Sequence, residues 1–530
     1  MTTDSAMSTD LAAAPAAGRG RGLIPLFIGL MLAMLLASLN QTVLATALPT
    51  MVGELHGVDQ LPWVITAYLL ASTVALPFYG KFGDLIGRKS LLLAAIALFM
   101  AGSLVGALAV DMTWLIVGRA VQGLGGGGLI ILTQAIVADV VPARDRGKYM
   151  GPMGGVFAFA SVAGPLLGGW FTQGPGWRWA FWINLPLGAL ALAVAAVFLR
   201  LPKGRQRRPK LDYLGMALLV VGTTLMVLIG TWGGLRYAWT SPPILGMAAG
   251  TLVTAALFVL VERRAAEPIV PLHMFGSRDF NLTTVGGLLM GVAMFGTIAY
   301  MPTYFQMANG IDATEAGLLM IPMMAALLLT SVLVGAYVSR TGHYKSIPIA
   351  GSVVMSVALV LMSTVHTTTP VWLVCLHLAL LGVGVGACMQ LLVLIVQNSF
   401  PLREVGTATA ANNYFRQVGA SLGSAVVGSV FTNRLLDMLR ERLPAAATIP
   451  EGTGSLTPDL LDSLPAPVRD LIVASYNEAL MPIFLVMAPL GLAAAVMLAF
   501  LSAKPLATRL DPEQERTGAA EDASAVAAPR

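Results

Sequence analysis

Charge is scarce in this sequence. Lys, Arg, Asp and Glu make up 11% of the 530 residues and hydrophobic residues 56%; ordinary soluble chains carry charge on roughly a quarter of their residues. So little charge cannot cover a soluble globule of this length, and the mean hydropathy of +0.78 agrees. Histidine (5) and cysteine (2) are rare as well. Cys375 and Cys388 share one apolar segment, where about 20 Å of helix separates them, beyond disulfide reach. No cluster has metal-ligand spacing, no nucleophile constellation is present, and no Gly-x-x-x-x-Gly-Lys-Ser/Thr loop supports direct ATP drive. Enzyme chemistry and bound cofactors are not expected. The net charge of +5 comes from basic residues in short loops between apolar runs, which argues against a nucleic-acid surface.

What the chain has is long apolar runs. Windows of about twenty residues give about fourteen spans, near 23–49, 61–80, 90–110, 113–133, 148–171, 180–199, 211–230, 242–261, 281–305, 314–338, 346–364, 372–398, 406–433 and 479–502. Alternate loops hold Lys81/Arg88/Lys89, Arg144/Arg146/Lys148, Arg200 with Lys203 to Lys210, Arg263/Arg264/Arg278, Arg340/Lys345 and Arg403. The intervening turns around Glu54–Asp59, Asp111, Asp312–Glu315 and His366 lack Lys and Arg. An excess of basic residues marks the cytoplasmic face, so both termini are expected there. Residues 1–22 and 503–530 read as disordered cytoplasmic tails. The long connection 434–478 reads as external, with a surface helix near Leu460–Ile472.

One stretch organises the rest: Gly80-Lys-Phe-Gly-Asp84-Leu-Ile-Gly87-Arg88-Lys89, a charged, glycine-rich turn between two spans. Gly335-Ala-Tyr-Val-Ser339-Arg340-Thr-Gly342-His343-Tyr-Lys345 echoes it after the tenth span, with Ser339 standing where Asp84 stands. A full loop and a degraded copy point to repeated halves. The expected fold is all-α, with two six-helix bundles (23–199 and 281–502) and an inserted helix pair (200–280).

The loop resembles the signature loop of the major facilitator superfamily. That resemblance implies a carrier alternating between inward-open and outward-open states, latched by Gly80, Asp84, Gly87, Arg88 and Lys89, with Asp139 paired to Arg88. Arg119-Ala-Val-Gln122-Gly123 lies within the fourth span, where an arginine is costly unless it faces a cavity or partner. It resembles the superfamily's fourth-span motif, to which a part in proton coupling belongs. Gly151, Gly164-Pro165 and Gly168-Gly169 lighten the fifth span and resemble an antiporter motif that forms an inter-domain hinge and seal; a break is expected at the proline, and Ala160 replaces a glycine of the motif.

Trp177-Arg178-Trp179-Ala-Phe-Trp182-Ile-Asn184-Leu-Pro186-Leu-Gly188 reads physically as interfacial anchoring. It and Leu39-Asn40-Gln41-Thr42-Val-Leu-Ala-Thr46-Ala-Leu-Pro49 resemble stretches of the fourteen-span drug/proton antiporters. The departure is Asn40, where that group commonly has an aspartate. Asn can neither carry a proton nor attract a cation, and no other mid-membrane acid stands out. Arg416, beside Asn412, Asn413 and Gln417, is the second intramembrane cation; Asn40, Arg119, Gln122 and Arg416 form the expected coupling and cavity set. Thr42, Tyr300, Tyr304, Gln306 and Gln390 are candidates for contact with substrate, and Met290, Met294 and Met301 read as adaptable wall or plain core. His377 reads more readily as a core histidine than as a titrating group.

The expectation is a secondary exporter of amphipathic small molecules across a bacterial plasma (inner) membrane. Protons and lipid would be its other partners; a periplasmic partner stays open. A dedicated exporter of one endogenous metabolite or lipid-like compound, and a receptor or scaffold that has lost transport, stand as alternatives.

Overall fold

A computed structural model of the chain describes residues 20–57, 60–199, 212–234, 236–442, 461 and 464–508. The first nineteen positions of the expected N-terminal tail, the basic run 203–210, most of the loop 443–463 and residues 509–530 lie outside the described residues.

The described chain is helical: α1 (Gly20–Leu55), α2 (Leu61–Ile86), α3 (Arg88–Ala107), α4 (Met112–Val140), α5 (Ala143–Gln173), α6 (Trp179–Trp182), α7 (Asn184–Phe198), α8 (Tyr213–Trp232), α9 (Pro242–Glu262), α10 (Arg278–Asn309), α11 (Ala313–Leu318), α12 (Ile321–Thr341), α13 (Ser346–Ser363), α14 (Val371–Ser399), α15 (Val405–Arg442) and α16 (Ala466–Ala499). Among the described residues thirteen helices, or near-continuous pairs such as α6–α7 and α11–α12, are long and apolar enough to cross a membrane. The helix outside that set is α15, the thirteenth of the fourteen expected spans. It is 38 residues long, but Asn412, Asn413, Arg416 and Gln417 dilute its hydropathy. Its polar groups can stay in the membrane because other helices, not lipid, surround most of them.

Helices α1–α7 pack on one another, as do α10–α16, while α8 packs on α9 and touches both groups through α2 and α15. The first group is filled by Leu30, Phe99, Leu132, Val43, Leu115 and Phe181, the second by Met294, Phe305, Met323, Met355 and Phe484. Helices approach closely where glycines replace side chains. A Cβ on Gly125 of α4 would lie 2.6 Å from Phe99 N of α3, and one on Gly384 of α14 2.7 Å from Met355 N of α13.

Three expectations need correction. The Gly80–Lys89 loop is almost entirely helix: α2 runs to Ile86, α3 starts at Arg88, and Gly87 alone breaks them, at φ 100°. Glycine is required there, because side chains rarely adopt that backbone. Helix α5 runs unbroken through Pro152 and Pro165. Of the surface helix expected near Leu460–Ile472, the described part from Ala466 is the first turns of a long helix, α16. Leu461 and Ile472 are buried.

Candidate functional site

The two bundles meet through a crossed pair of junctions, α2 on α15 and α5 on α12, whose polar contacts concentrate at the end that carries Gly87. We call it the basic end. In the first junction a Cβ on Gly80 would stand 2.4 Å from Ala410 Cβ and 2.8 Å from Gly406 O. That closeness puts Asp84, in the last turn of α2, directly under the start of α15. Its Oδ1 accepts from Gly406 N (3.1 Å) and its Oδ2 from Thr407 N (2.7 Å) and Thr407 Oγ1 (2.8 Å). Asp84 thus serves as an N-cap supplied by another element, where unpaired N–H groups and the helix dipole favour an anion.

Arg88 completes this junction. Its guanidinium donates to Asp84 Oδ1 (2.6 Å), to Asp139 Oδ1, to Ala135 O (2.8 Å) and across to Leu402 O (3.1 Å). Asp84 and Arg88 side chains are 4% and 5% exposed, so their charges are sequestered as one ionic unit. Lys89 is not part of it: its Nζ reaches Ala196 O (2.8 Å) near the end of α7.

The second junction repeats the first with weaker parts. A Cβ on Gly335 would lie 2.1 Å from Gly147 O, backbone against backbone. Ser339 Oγ donates to Asp145 Oδ1 (2.9 Å), and Arg144 donates from Nε to Ser339 O (3.3 Å) and from Nη2 to Arg340 O (2.9 Å). The partners of the two loops are themselves a repeat that sequence reasoning missed. Pro142-Ala-Arg144-Asp145-Arg-Gly147 opens α5 with the spacing of Pro401-Leu-Arg403-Glu404-Val-Gly406 before and into α15. The matched Pro, Arg, acid and Gly were visible in the sequence.

The glycine row of α5 divides. Gly151 packs on Ser331 O and Val332 of α12, between the bundles, but Gly164 and Gly168 pack on Thr42 and Thr46 of α1, inside the first bundle. Gly169 has nothing within 4 Å of an added Cβ, and Pro165 is the nearest neighbour of Gly317 in α11. The single inter-domain seal expected of this row is therefore corrected to two contacts of different kinds. Thr42 also ties α1 to α5 by a hydrogen bond, its Oγ1 donating to Ala160 O (2.8 Å) in the turn before Pro165.

Asn40, Arg119 and Gln122 do come together, but not around a cavity: they are 1%, 3% and 0% exposed. Gln122 is the hub. Its Nε2 donates to Asn40 Oδ1 (3.2 Å) and Ser103 Oγ (2.7 Å), and its Oε1 accepts from Arg119 Nη1 (3.1 Å). Asn184 Nδ2 also donates to Asn40 Oδ1 (3.3 Å), Arg119 Nε donates to Val64 O (3.2 Å), and the guanidinium lies 4.2 Å from the Tyr68 ring centroid. Ser103, Tyr68 and Asn184 are thus further members, the last hidden in an aromatic stretch read as anchoring. That stretch is corrected too. Trp177 is buried and donates to Glu54 Oε2 (2.7 Å), while Arg178 reaches Glu54 Oε1 (2.6 Å). The hydrogen bonds from Arg178 and Trp177 hold the Glu54 carboxyl below its usual range.

Arg416 is not in this network. It donates to Asn413 Oδ1, and Asn413 Nδ2 donates to Gln134 Oε1 of α4 (3.0 Å). Gln134 lies about 18 Å along α4 from Gln122, so the coupling set expected as one is two polar centres. Nor do the substrate candidates converge. Tyr304 Oη donates to Asn477 Oδ1 (2.8 Å) within the second bundle, Tyr300 to Ser424 O (3.2 Å) on α15, and Gln306 to Pro302 O of its own helix (3.3 Å). Gln390 lines a small cavity with Gly147, Ser331 and Gly335 at the second junction. Met290, Met294 and Met301 are core.

Two helical bundles with repeated loops, crossed at one end by matched junctions, define a membrane carrier built from two halves. The chain belongs to the major facilitator superfamily, whose sequence model matches residues 30–212 and 213–424; it is a transporter and not an enzyme. It is 42% identical over 460 residues to an uncharacterized MFS-type transporter of Mycobacterium tuberculosis, covering 87% of this chain and 66% of that protein's length. It is 34% identical over 479 residues to the multidrug transporter protein MdtP of Bacillus subtilis, covering 86% of this chain and 88% of the relative. A solved structure of the proton:xylose symporter XylE superposes with a TM-score of 0.61 at 15% identity, covering 91% and 97% of the two chains. At that identity the likeness is one of fold.

Proposed function

We propose that this protein is a proton-driven exporter of amphipathic small molecules in a bacterial plasma membrane, its basic end cytoplasmic. The observation that carries the reading is the buried Asp84–Arg88–Asp139 unit, which ties α2 and α4 to the start of α15 across the two bundles. On this reading it latches the state that is shut to the cytoplasm, and Ser339, Asp145 and Arg144 form a weaker second latch. Such a device has a use only where the bundles must part and close again. An exporter needs both states within a few kcal/mol of each other. Export and substrate class draw on relatives: one is named a multidrug transporter protein and another, from Dothistroma septosporum, an efflux pump. Proton coupling is supported by the Arg119–Gln122 motif and by the lack of any nucleotide-binding loop. On this reading Asn40, whose amide cannot carry a proton, organises Gln122 and Asn184 by its hydrogen bonds.

The test is transport in proteoliposomes under an imposed pH gradient, with a panel of cationic, neutral and anionic amphiphiles. Gradient-dependent uptake into inverted liposomes of at least one class supports the reading. Equal rates with and without the gradient remove proton drive, and no transport of any class removes export.

A further inference from the structure

We propose that Arg416 is an anion-recognition group at the floor of the transport cleft, and that the substrates it takes carry a carboxylate or another compact oxyanion. The inference rests on the export reading above and names the substrate class.

The position follows from α15. From its basic-end start to Asn413 this helix contacts the first bundle, at Asp84, at Gly80 and at Gln134. Beyond Arg416 its close neighbours change. Gly419 and Gly423 pack on Leu288 and Val292 of α10, Ser421 and Ser429 approach Gly230 and Gly234 by the inserted pair, and Gly428 meets Tyr300. Arg416 therefore stands one turn past Asn413, which makes the last hydrogen bond of α15 to the first bundle. The layer beneath it is closed by Asn413 with Gln134, and by Gln397 Nε2 donating to Gln134 O (3.2 Å) and Thr409 Oγ1 (3.4 Å).

The chemistry follows from what the buried guanidiniums have and this one lacks. Arg88 has two carboxylates. Arg146 donates to Ala138 O and Val141 O at the end of α4, each at 2.9 Å. Arg119 has a carbonyl, an amide and a tyrosine ring, and is sealed. Arg416 has Asn413 Oδ1 alone among the described residues, and it is only partly buried. Its Nε and Nη1 have no hydrogen-bond partner among the described residues and are not fully sealed. Gly287 and Gly291 of α10 lie against the backbone and Cβ of Arg416, leaving little bulk beside it. A cation within a membrane protein is costly without a partner, and the planar fork matches a carboxylate or phosphate oxygen pair. No acid among the described residues answers it, and on this proposal the substrate's anion does. Lipophilic cations, by the same field, are disfavoured at this point.

The experiment compares a fluorescent aromatic carboxylate with its methyl ester, in proteoliposomes and by equilibrium dialysis against the detergent-purified protein. Wild type, Arg416→Gln and Arg416→Lys are used, each first shown to be monodisperse. The expected result is wild-type export and binding of the carboxylate, a loss of tenfold or more in Arg416→Gln, partial retention in Arg416→Lys, and little change for the ester in all three. If wild type exports the ester and not the carboxylate, or if Arg416→Gln handles both as wild type does, the anion assignment is overturned while export stands. If no compound is exported, export fails; dialysis then decides Arg416 separately, since carboxylate binding lost in Arg416→Gln upholds it and absent binding in wild type overturns it.

Discussion

Gly335→Ala isolates the closure of the basic end from the folding of either bundle. The added Cβ would sit 2.1 Å from Gly147 O and 2.8 Å from Gly147 C. Both are backbone atoms of the facing helix, so no rotamer change relieves the clash, and α5 and α12 must part by about an ångström to restore ordinary packing. Overpacking of this kind costs about 1–3 kcal/mol. The cost falls only on the state in which the bundles are closed here, because Gly335 and Gly147 lie in different bundles. A bias of that size moves a two-state equilibrium by roughly 5- to 150-fold. Spin labels at Lys148 and Tyr337, both exposed beside the junction, read the result as a distance distribution in nanodiscs. The long-distance population should grow several-fold at least, and the melting temperature should stay near that of wild type. Gly169→Ala, which meets nothing within 4 Å, is the control and should leave the distribution unchanged. Unaltered distances in Gly335→Ala would refute the view that this contact belongs to one state alone.

Other perturbations should separate the remaining roles. Asp84→Ala leaves Arg88 and the start of α15 without their shared anion; breaking one side of a buried pair costs about 3–5 kcal/mol, so transport should fall sharply and thermal stability as well, measured at matched expression. Asn40→Leu takes one acceptor from each of Gln122 Nε2 and Asn184 Nδ2, which keep Ser103 Oγ and Ala180 O, and should lower stability by about 1–3 kcal/mol, seen in detergent melting, whatever the substrate. Asp279 accepts from Ser502 N (2.9 Å) and pairs with Lys504 (3.3 Å), while Ala507 O accepts from Arg144 N of the first bundle (3.0 Å). Asp279→Asn should therefore loosen residues 501–507 and raise their hydrogen exchange. Glu54 is held ionised by Arg178 and Trp177, so the stability it adds is present above its unfolded pKa and fades as pH falls through the lowered folded value. The pair is largely exposed, so Glu54→Gln should cost under about 1 kcal/mol at neutral pH and flatten the acid limb of a melting-temperature profile.

The span count was legible because hydropathy acts residue by residue over a window, and it even reached α15, whose glycines and alanines mark helix packing despite its polar middle. Asp84 and Arg88 were legible through the spacing of the loop, and Asp139 only through the family resemblance. Their burial was not, because it depends on Gly406 and Thr407 arriving from more than three hundred residues away. Arg119 and Gln122 share a helix face that sequence displays, whereas Asn184 joins them only once α7 folds back on α3 and α1. The glycine row of α5 misled for a related reason. Glycines announce that a helix approaches but not which one, and Gly151 and Gly164 meet different partners. Residues 503–508, expected to begin a tail, lie ordered against the basic end, held by the backbone of Ser502, Lys504 and Ala507, which no side-chain pattern reveals.

The central claim is that the junctions at the basic end open in every transport cycle. Ser339 Oγ and Asp145 Oδ1 stand 2.9 Å apart across the bundles, so Ser339→Cys with Asp145→Cys, in a chain whose Cys375 and Cys388 are replaced by serine, places one thiol on each side of the junction, to be joined by oxidation or by a short, reducible bis-methanethiosulfonate bridge. Transport is then measured in proteoliposomes before oxidation, after oxidation, and after reduction with dithiothreitol. The account predicts activity in the reduced protein, its loss in proportion to the disulfide formed, and its return on reduction. Undiminished transport by the fully cross-linked protein would contradict it.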